Sequence, residues 1–588
     1  MRKLHEFSLL VISLCCCMTA SLHAATYYVD FGLGGVSFNG LAPIPQGQDG
    51  PFQTIEQAIN AAESNSDSGD IIFVKAVASY DQPLTISEDG IQLIGYEHSV
   101  NETTVWSDLD DGRGVPPNYN EMRGLANGMP VMHKQPEINL GNRAAGKAIY
   151  VTGANVVIRN FTIHDCLEGV TGAGNFAEGT SNMTVENVVG YNFGPLIDDD
   201  EGRGITLSTM KQSWIINCRI LNAGGYGVSL TDLAAGSTIV DTDVYCDEGD
   251  PGQGEGNGCD YYFVIQDTSS STIANCYAER RDGGDGDFPG HLGHGFVLKG
   301  VASNAKSNTV QECEAFQVNE AFWFLGPKCT ENTVTNCYAN KTDTSENVGG
   351  SIFFSNGANK NRARQTRIKN ARGGVTFDVD GGVAGQADLM SENTIENCIF
   401  ERCENAINFN PHNGNPATKA KDNVFRNCTF TGRLTPTLYK EWPPGSGIYE
   451  DSRGLFYAHR DNENTTFTNC IFSDFPVRDF ESPATVASGK DVYPTEDEVN
   501  FINCCFDQCG DGDPITSEGF PETQQAMDSD QAYIDCILAS SSPFIGSWVW
   551  PSSVVIDEGI AVPENEDFFG TPPRQNGAAV DVGAIEGN

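Results

Sequence analysis

Basic residues are scarce in this sequence: 35 Lys and Arg stand against 79 Asp and Glu over 588 residues, a formal net charge of −44. So acidic a surface repels nucleic acid and anionic membranes at long range, and neither is an expected partner. Long apolar runs are also lacking. Apart from a stretch from Phe7 to Met18, which is too short to cross a bilayer, none is present, so no membrane span is expected. Helical periodicity is confined to PFQTIEQAINAAE (51–63), where Ile55, Ala58, Ile59 and Ala62 share one face. The 19 Cys include no CxxC-type cluster, which argues against thiol metal sites and redox chemistry.

What is present begins with an export signature. MRKLHEFSLLVISLCCCMTASLHAATYYVD has a basic start (Arg2, Lys3), an apolar core and small residues at Ala24 and Ala25, so residues 1–24 are expected to be a signal peptide. Leu14 before Cys15 excludes lipoprotein processing, and the expected location is secreted or periplasmic. Beyond the helical segment, short β-rich runs alternate with Gly, Asn, Asp and Ser. The runs repeat: SWIINCRILN, STIANCYAER, NTVTNCYANK, NTIENCIFER, NVFRNCTFTG, TTFTNCIFSD and VNFINCCFDQ, with Asn-Cys at 217, 275, 336, 397, 427, 469 and 503 and Glu312-Cys313 as an altered copy. A repeat of this size means a solenoid. The expected fold is all-β, a single-stranded right-handed parallel β-helix over 25–555 with an N-terminal capping helix, loop insertions and a tail segment over 556–588. Its Asn residues would form a hydrogen-bonded ladder at one corner, and its Cys would stack as small buried hydrophobes rather than disulfides.

PFQTIEQAINAAESNSDSGDIIFV, LTISEDGIQLIGYE and NVVIRNFTI resemble the capped start of secreted right-handed β-helix proteins of the pectate-lyase-like superfamily. DFFGTPPRQNGAAVDVGAIEG (567–587) resembles the tail of bacterial members. That superfamily holds lyases, hydrolases and non-catalytic binders, so the resemblance implies a fold more than a reaction.

The densest chemistry lies in RRDGGDGDFPGHLGHGFVLKG (280–300), which gathers Asp282, Asp285, Asp287, His291, His294 and Lys299. Strict alternation puts His294 with inward Phe296 and Leu298, and sends Lys299 outward into a groove. The next repeat adds Glu320, Trp323 and Lys328. GHGFVLKG resembles family-nine pectate lyases, which implies Lys299 as the base and calcium held by carboxylates. The calcium set here would be Asp282, Asp285, Asp287 and Glu320, although Glu320 alone keeps a carboxylate in NEAFWF. FVLKGVASNAKSNTVQECEA is similar to chondroitinase and alginate lyases, which implies Lys328 in place of their Arg. GHG (293–295) with RIK (367–369) resembles polygalacturonases, with Asp267 as a lone candidate acid.

One more run stands out in so acidic a chain. KNRARQTRIKNAR carries six basic residues between Lys360 and Arg372. Arg offers a planar fork that matches carboxylate and sulfate, so Arg362, Arg364, Arg367 and Lys369, with Trp323, are the expected substrate-binding residues. The expected partner is an anionic polysaccharide and the expected state a monomer. The reaction expected is β-elimination from a uronate, with His294, Lys299 and Lys328 as candidate catalytic groups. A polygalacturonase-like hydrolase and a non-catalytic binding β-helix remain open beside it.

Overall fold

The computed structural model describes residues 24–65, 69–76, 79–96, 135–174, 182–194, 202–232, 234–246, 259–280, 293–341, 351–378, 389–410, 420–432, 454–457, 462–475, 477–480, 499–509, 524–529, 533–539, 544–545 and 548–551. The expected signal peptide up to residue 23, Asp282, Asp285, Asp287, His291 and the 556–588 tail lie outside them. The chain divides into two compact units, Met1–Gly194 with Met210–Arg219, and Pro195–Thr209 with Ile220–Asn588. Both are stacks of parallel strands, and the fold is a parallel β-helix. No helix among the described residues is long and apolar enough to cross a membrane.

In the first unit, Thr26–Val29 pairs with Ile71–Lys75, which pairs with Gln92–Tyr96, then Val157–Cys166, then Thr184–Phe193. The helix Ile55–Ser64 buries Ile55, Ala58, Ile59 and Ala62 as their spacing requires. It starts later than the 51–63 periodicity because Thr54 caps it: the Gln57 N–H donates to Thr54 Oγ1 (3.2 Å), and Gln57 Oε1 accepts from the Thr54 N–H (3.1 Å).

On the strand Val157–Cys166, buried His164 is bonded to Asp165 through Nδ1 and to Glu137 through Nε2, both at 2.8 Å, and stacks on Tyr191 with ring centroids 4.3 Å apart. Burial alone would depress its pKa, but the bonds and charges of Glu137 and Asp165 outweigh that and raise it. A raised folded value contributes stability below the unfolded pKa, about 6.5, that is lost as pH rises through the folded value. The melting temperature of this unit is therefore expected to fall as pH rises across that window. His164→Gln should flatten the profile, and an unchanged slope would rule the linkage out.

In the second unit each coil has one longer and two short strands. The coil of His294–Lys299, Thr309–Gln311 and Glu314–Phe316 lies between that of Tyr261–Gln266, Thr272–Ala274 and Tyr277–Arg280 and that of Phe322–Leu325, Thr333–Thr335 and Tyr338–Asn340. The Asn of each Asn-Cys pair sits in the corner between the two short strands with φ near +50°, as at Asn275, Asn336, Asn397 and Asn427. Asn tolerates that left-handed conformation better than most residues, and its amide can then bridge coils. Asn427 donates to Asn397, Asn469 to Asn427 and Asn503 to Asn469 at 3.1–3.2 Å. Asn336 and Asn397 share this corner, with Gln365 between them.

All sixteen described cysteines are buried and none is in a disulfide. Cys276 Sγ donates to the Ala274 carbonyl two residues back (3.2 Å), and where the repeat has Thr the hydroxyl does the same, Thr242 to Val240 (3.0 Å) and Thr366 to Arg364 (2.9 Å). A second, fully buried ladder joins the carboxamides of Asn308, Asn332, Asn361, Asn393 and Asn423 at 3.0–3.4 Å. The Oδ1 of Asn332, Asn361, Asn393 and Asn423 each also accepts the backbone N–H of the Asn one coil earlier, and that of Asn308 accepts the Ser271 N–H, so the buried carboxamide oxygens are satisfied.

Candidate functional site

The longer strands of the second unit form one sheet in which Arg203–Ser208, Tyr226–Thr231, Tyr261–Gln266, His294–Lys299, Phe322–Leu325 and Ile352–Ser355 pair in order. Alternation gives this sheet two different faces. Phe263, Phe296 and Phe322 stack with centroids 4.9–5.7 Å apart, and Phe324 stacks on Phe354, on the face toward the core. Val264, Val297, Trp323 and Phe353 run in register along the other face and cluster with Tyr226, Tyr261 and Leu325.

Lys299, in register with Gln266 and Leu325, lies on this second face as alternation requires. Its Nζ sits 5.1 Å from the Tyr261 ring centroid, a cation–π contact, and it makes no ion pair among the described residues. At the other end of the tyrosine pair, the Arg203 guanidinium lies 5.1 Å from Tyr226, whose ring is 5.3 Å from that of Tyr261.

His294 departs from the expectation. Strict alternation places it with Phe296, but its ring lies 4.3 Å from Trp323 and 5.4 Å from Tyr261, on the same face as Lys299. The alternation breaks at Gly295, where a Cβ would come within 2.7 Å of the Ala321 carbonyl oxygen. A residue without a side chain lets the backbone close on the neighbouring coil and turns His294 outward. Its Nδ1 is hydrogen-bonded to Glu320, and Nε2 is 4.0 Å from the Asp260 carboxylate. Trp323 is fixed in turn by its indole N–H donating to Ser355 Oγ at 2.6 Å. The structure thus brings together Lys299, His294, Glu320 and Trp323.

The other expected residues lie elsewhere or have other work. Lys328 runs beside Gly300 through its backbone N–H (2.9 Å), and its ammonium donates to the Ala302 carbonyl. Asp267 accepts the N–H groups of Val301 (2.9 Å) and Ser303 (2.7 Å) and so holds the turn after Lys299. Of the expected calcium ligands only Glu320 is among the described residues, where it is bonded to His294. Among the described residues no group of three or more His, Cys, Asp or Glu is assembled to hold a metal ion.

The basic run is on Arg362–Arg364 and Arg367–Lys369, short strands of the coil that do not belong to the sheet carrying Lys299. It does not continue the His294 face, because the longer strand of that coil is Ile352–Ser355. Alternation does point Arg362, Arg364, Arg367 and Lys369 away from the core, but the next coil answers Arg362, Arg367 and Lys369 with carboxylates, and Arg364 donates to the Gln365 carboxamide (3.2 Å). Arg362 pairs with Glu396, Arg367 and Lys369 with Glu401 (3.1 and 3.2 Å), and Lys360 with Glu392 (3.8 Å). Burial would raise the Glu401 pKa, but the bond and charge of Arg367, with Lys369, outweigh it and hold it below the usual carboxylate range.

Sequence reasoning missed Asp260, Tyr261, Tyr226 and Arg203. The signal was present in CDYYFVIQ, which sets out the same apolar pattern as GHGFVLK one coil later and so places Tyr261 beside His294.

Residues 137–262 match the family described as "Right handed beta helix region". No curated protein matches the chain. Among solved structures, an alginate lyase in complex with G6 is similar over 74% of this chain and 85% of its own, at 13% identity and a TM-score of 0.43. An alginate lyase in complex with a trisaccharide is similar over 77% and 86%, at 12% identity and a TM-score of 0.40. The catalytic unit of an α-1,3-glucanase from Streptomyces thermodiastaticus is similar over 79% and 67%, at 11% identity and a TM-score of 0.32. The chain is a parallel β-helix protein whose residues 137–262 carry the right-handed β-helix family pattern.

Proposed function

We propose that this chain is an exported protein acting on an anionic polysaccharide, and that it cleaves a uronate-containing glycan by β-elimination. One observation carries the reading. On the outer face of the longer-strand sheet, in a chain of net charge −44, the Lys299 ammonium lies over Tyr261 with no ion-pair partner among the described residues. A cation held by an aromatic ring rather than a carboxylate stays available to an anionic ligand, and its amine, once neutral, can take a proton. Beside it His294, oriented by Glu320, would give a proton to the departing 4-linked oxygen. The Arg203 guanidinium would offset the uronate carboxylate, without which the C5 proton is too weakly acidic to leave. Trp323 and Tyr261, buried in the outer-face apolar cluster, hold the His294 ring and the Lys299 ammonium in place.

Hydrolysis is the second reading, favoured by the two carboxylates, Asp260 and Glu320, that flank His294. The test is incubation with uronic, sulfated and neutral polysaccharides while following ultraviolet absorbance of unsaturated ends and, separately, reducing sugar. Elimination gives both signals. Reducing ends without absorbance would replace it with hydrolysis, and tight binding without either would make the chain a binder.

A further inference from the structure

Cys246 and Cys259 stand apart from the stacked thiols. Cys246 ends the strand Asp243–Cys246, and Cys259 precedes the next longer strand, Tyr261–Gln266. Both are buried. The Cys259 N–H points at Cys246 Sγ at 3.4 Å, and Cys259 Sγ turns to the carbonyls of Tyr261 (3.2 Å) and Gly225 (3.6 Å). The Arg280 guanidinium, on the neighbouring strand and in register with Cys246, reaches its sulfur at 3.6 Å.

We infer that Cys246 and Cys259 are a disulfide-forming pair, closing residues 247–258 as a covalent loop when the chain meets a disulfide oxidant. Three features support this. With Cys246 Sγ this close to the Cys259 backbone, rotation of the Cys259 side chain away from its two carbonyls brings the sulfurs together. The Arg280 guanidinium donates to Cys246 Sγ at 3.6 Å, which holds that sulfur beside the Cys259 backbone. The segment between them, DEGDPGQGEGNG, is acidic and glycine-rich, and tying its ends removes loop-closure entropy from the unfolded chain.

The Asn-Cys columns differ in geometry even where a sulfur comes as near, as Cys536 Sγ does to the Cys504 N–H (3.4 Å). Their cysteines stack one per coil at the corner, each thiol bonded to those above and below, as Cys313 is to Cys276 and Cys337, and each also donates to the carbonyl two residues back. A disulfide between two coils would break that shared bonding, so these thiols are expected to stay reduced.

The step balances with a small-molecule disulfide such as oxidised glutathione. The Cys246 thiolate attacks its S–S bond to give a mixed disulfide and release one glutathione thiolate. The Cys259 thiolate then displaces the second. Two protein thiols are oxidised and one glutathione disulfide is reduced to two thiols, the two protons passing from the cysteines to the glutathione sulfurs. Because both sulfurs are buried in the folded chain, the exchange belongs to folding. Its product fixes the residue before Asp260, whose carbonyl receives the His294 N–H at 2.8 Å.

The test is to refold the full chain with oxidised glutathione, alkylate it in denaturant, digest it without reductant and map the peptides. The expected result is one linked pair, 246 with 259, lighter by two hydrogens, with Cys276, Cys313, Cys504 and Cys536 alkylated. It should vanish on reduction, and in Cys246→Ser and Cys259→Ser. The wild-type map decides the matter even where a variant fails to fold. Full alkylation of Cys246 and Cys259 after oxidative refolding, or pairing of either with a column cysteine, would overturn the assignment.

Discussion

Replacing Lys299 with Ala is expected to lower eliminative turnover of a uronate polymer about 10³-fold, within the range by which positioned general bases act. Lys299 is at the end of its strand, half-buried, and its one described side-chain contact is with Tyr261. Removing it takes no atoms from the phenylalanine core, so the melting temperature should move little. Lys299→Arg keeps the charge but not a group that readily gives up its proton, so it should retain binding and lose turnover. This split separates a base from a binding cation: equal loss of kcat in both variants with KM unchanged in both marks the base. Turnover within a few-fold of wild type in Lys299→Ala would remove Lys299 from the chemistry altogether.

The second large effect is on stability. Phe467 is fully buried, stacked between Phe425 (4.5 Å) and Phe501 (5.1 Å), with Phe430 and Phe472 edge-on at 6.4 and 5.5 Å. Phe467→Ala removes a ring from a column in which each coil packs on the next, and the strands are too tightly hydrogen-bonded to collapse into the space. The expected cost is about 4 kcal/mol, transfer and cavity together. Denaturant unfolding of the second unit measures it. A loss under about 1 kcal/mol would mean that the column relaxes as no close-packed interior should.

The fold could be read from the sequence because its signal is repetition. Asn-Cys returns once per coil, and the corner asks only for a residue that tolerates positive φ followed by a small donor. The same looseness hid some copies. Asp535-Cys536 at one end, and Asp241-Thr242 and Gln365-Thr366 within, occupy the corner without spelling the dipeptide. The buried ladder from Asn308 to Asn423 was equally repetitive, but Asn two residues before an apolar position reads in sequence as an ordinary turn.

The site was half legible for a physical reason. Alternation predicts the side a residue takes within a strand, and it placed Lys299 correctly. It does not foresee a break such as Gly295, which turned His294 to the other face. Nor does it say what a neighbouring coil presents. Arg362, Arg367 and Lys369 looked like a patch awaiting an anion because Glu396 and Glu401 are more than thirty residues away in sequence, and only stacking makes them neighbours.

The Asn-Cys corner also sets how this chain can change length. A single residue lost from Thr394–Glu396 would swing Ile395 out of the core and bring a polar neighbour in, because side chains alternate with a period of two. Losing every residue from one corner to the next is a milder injury: the coils on either side then meet with the same left-handed Asn, the same small donor and the same in-register strands. The molecule therefore tolerates arithmetic in whole turns far better than in single residues, and its natural unit of insertion or deletion is the coil.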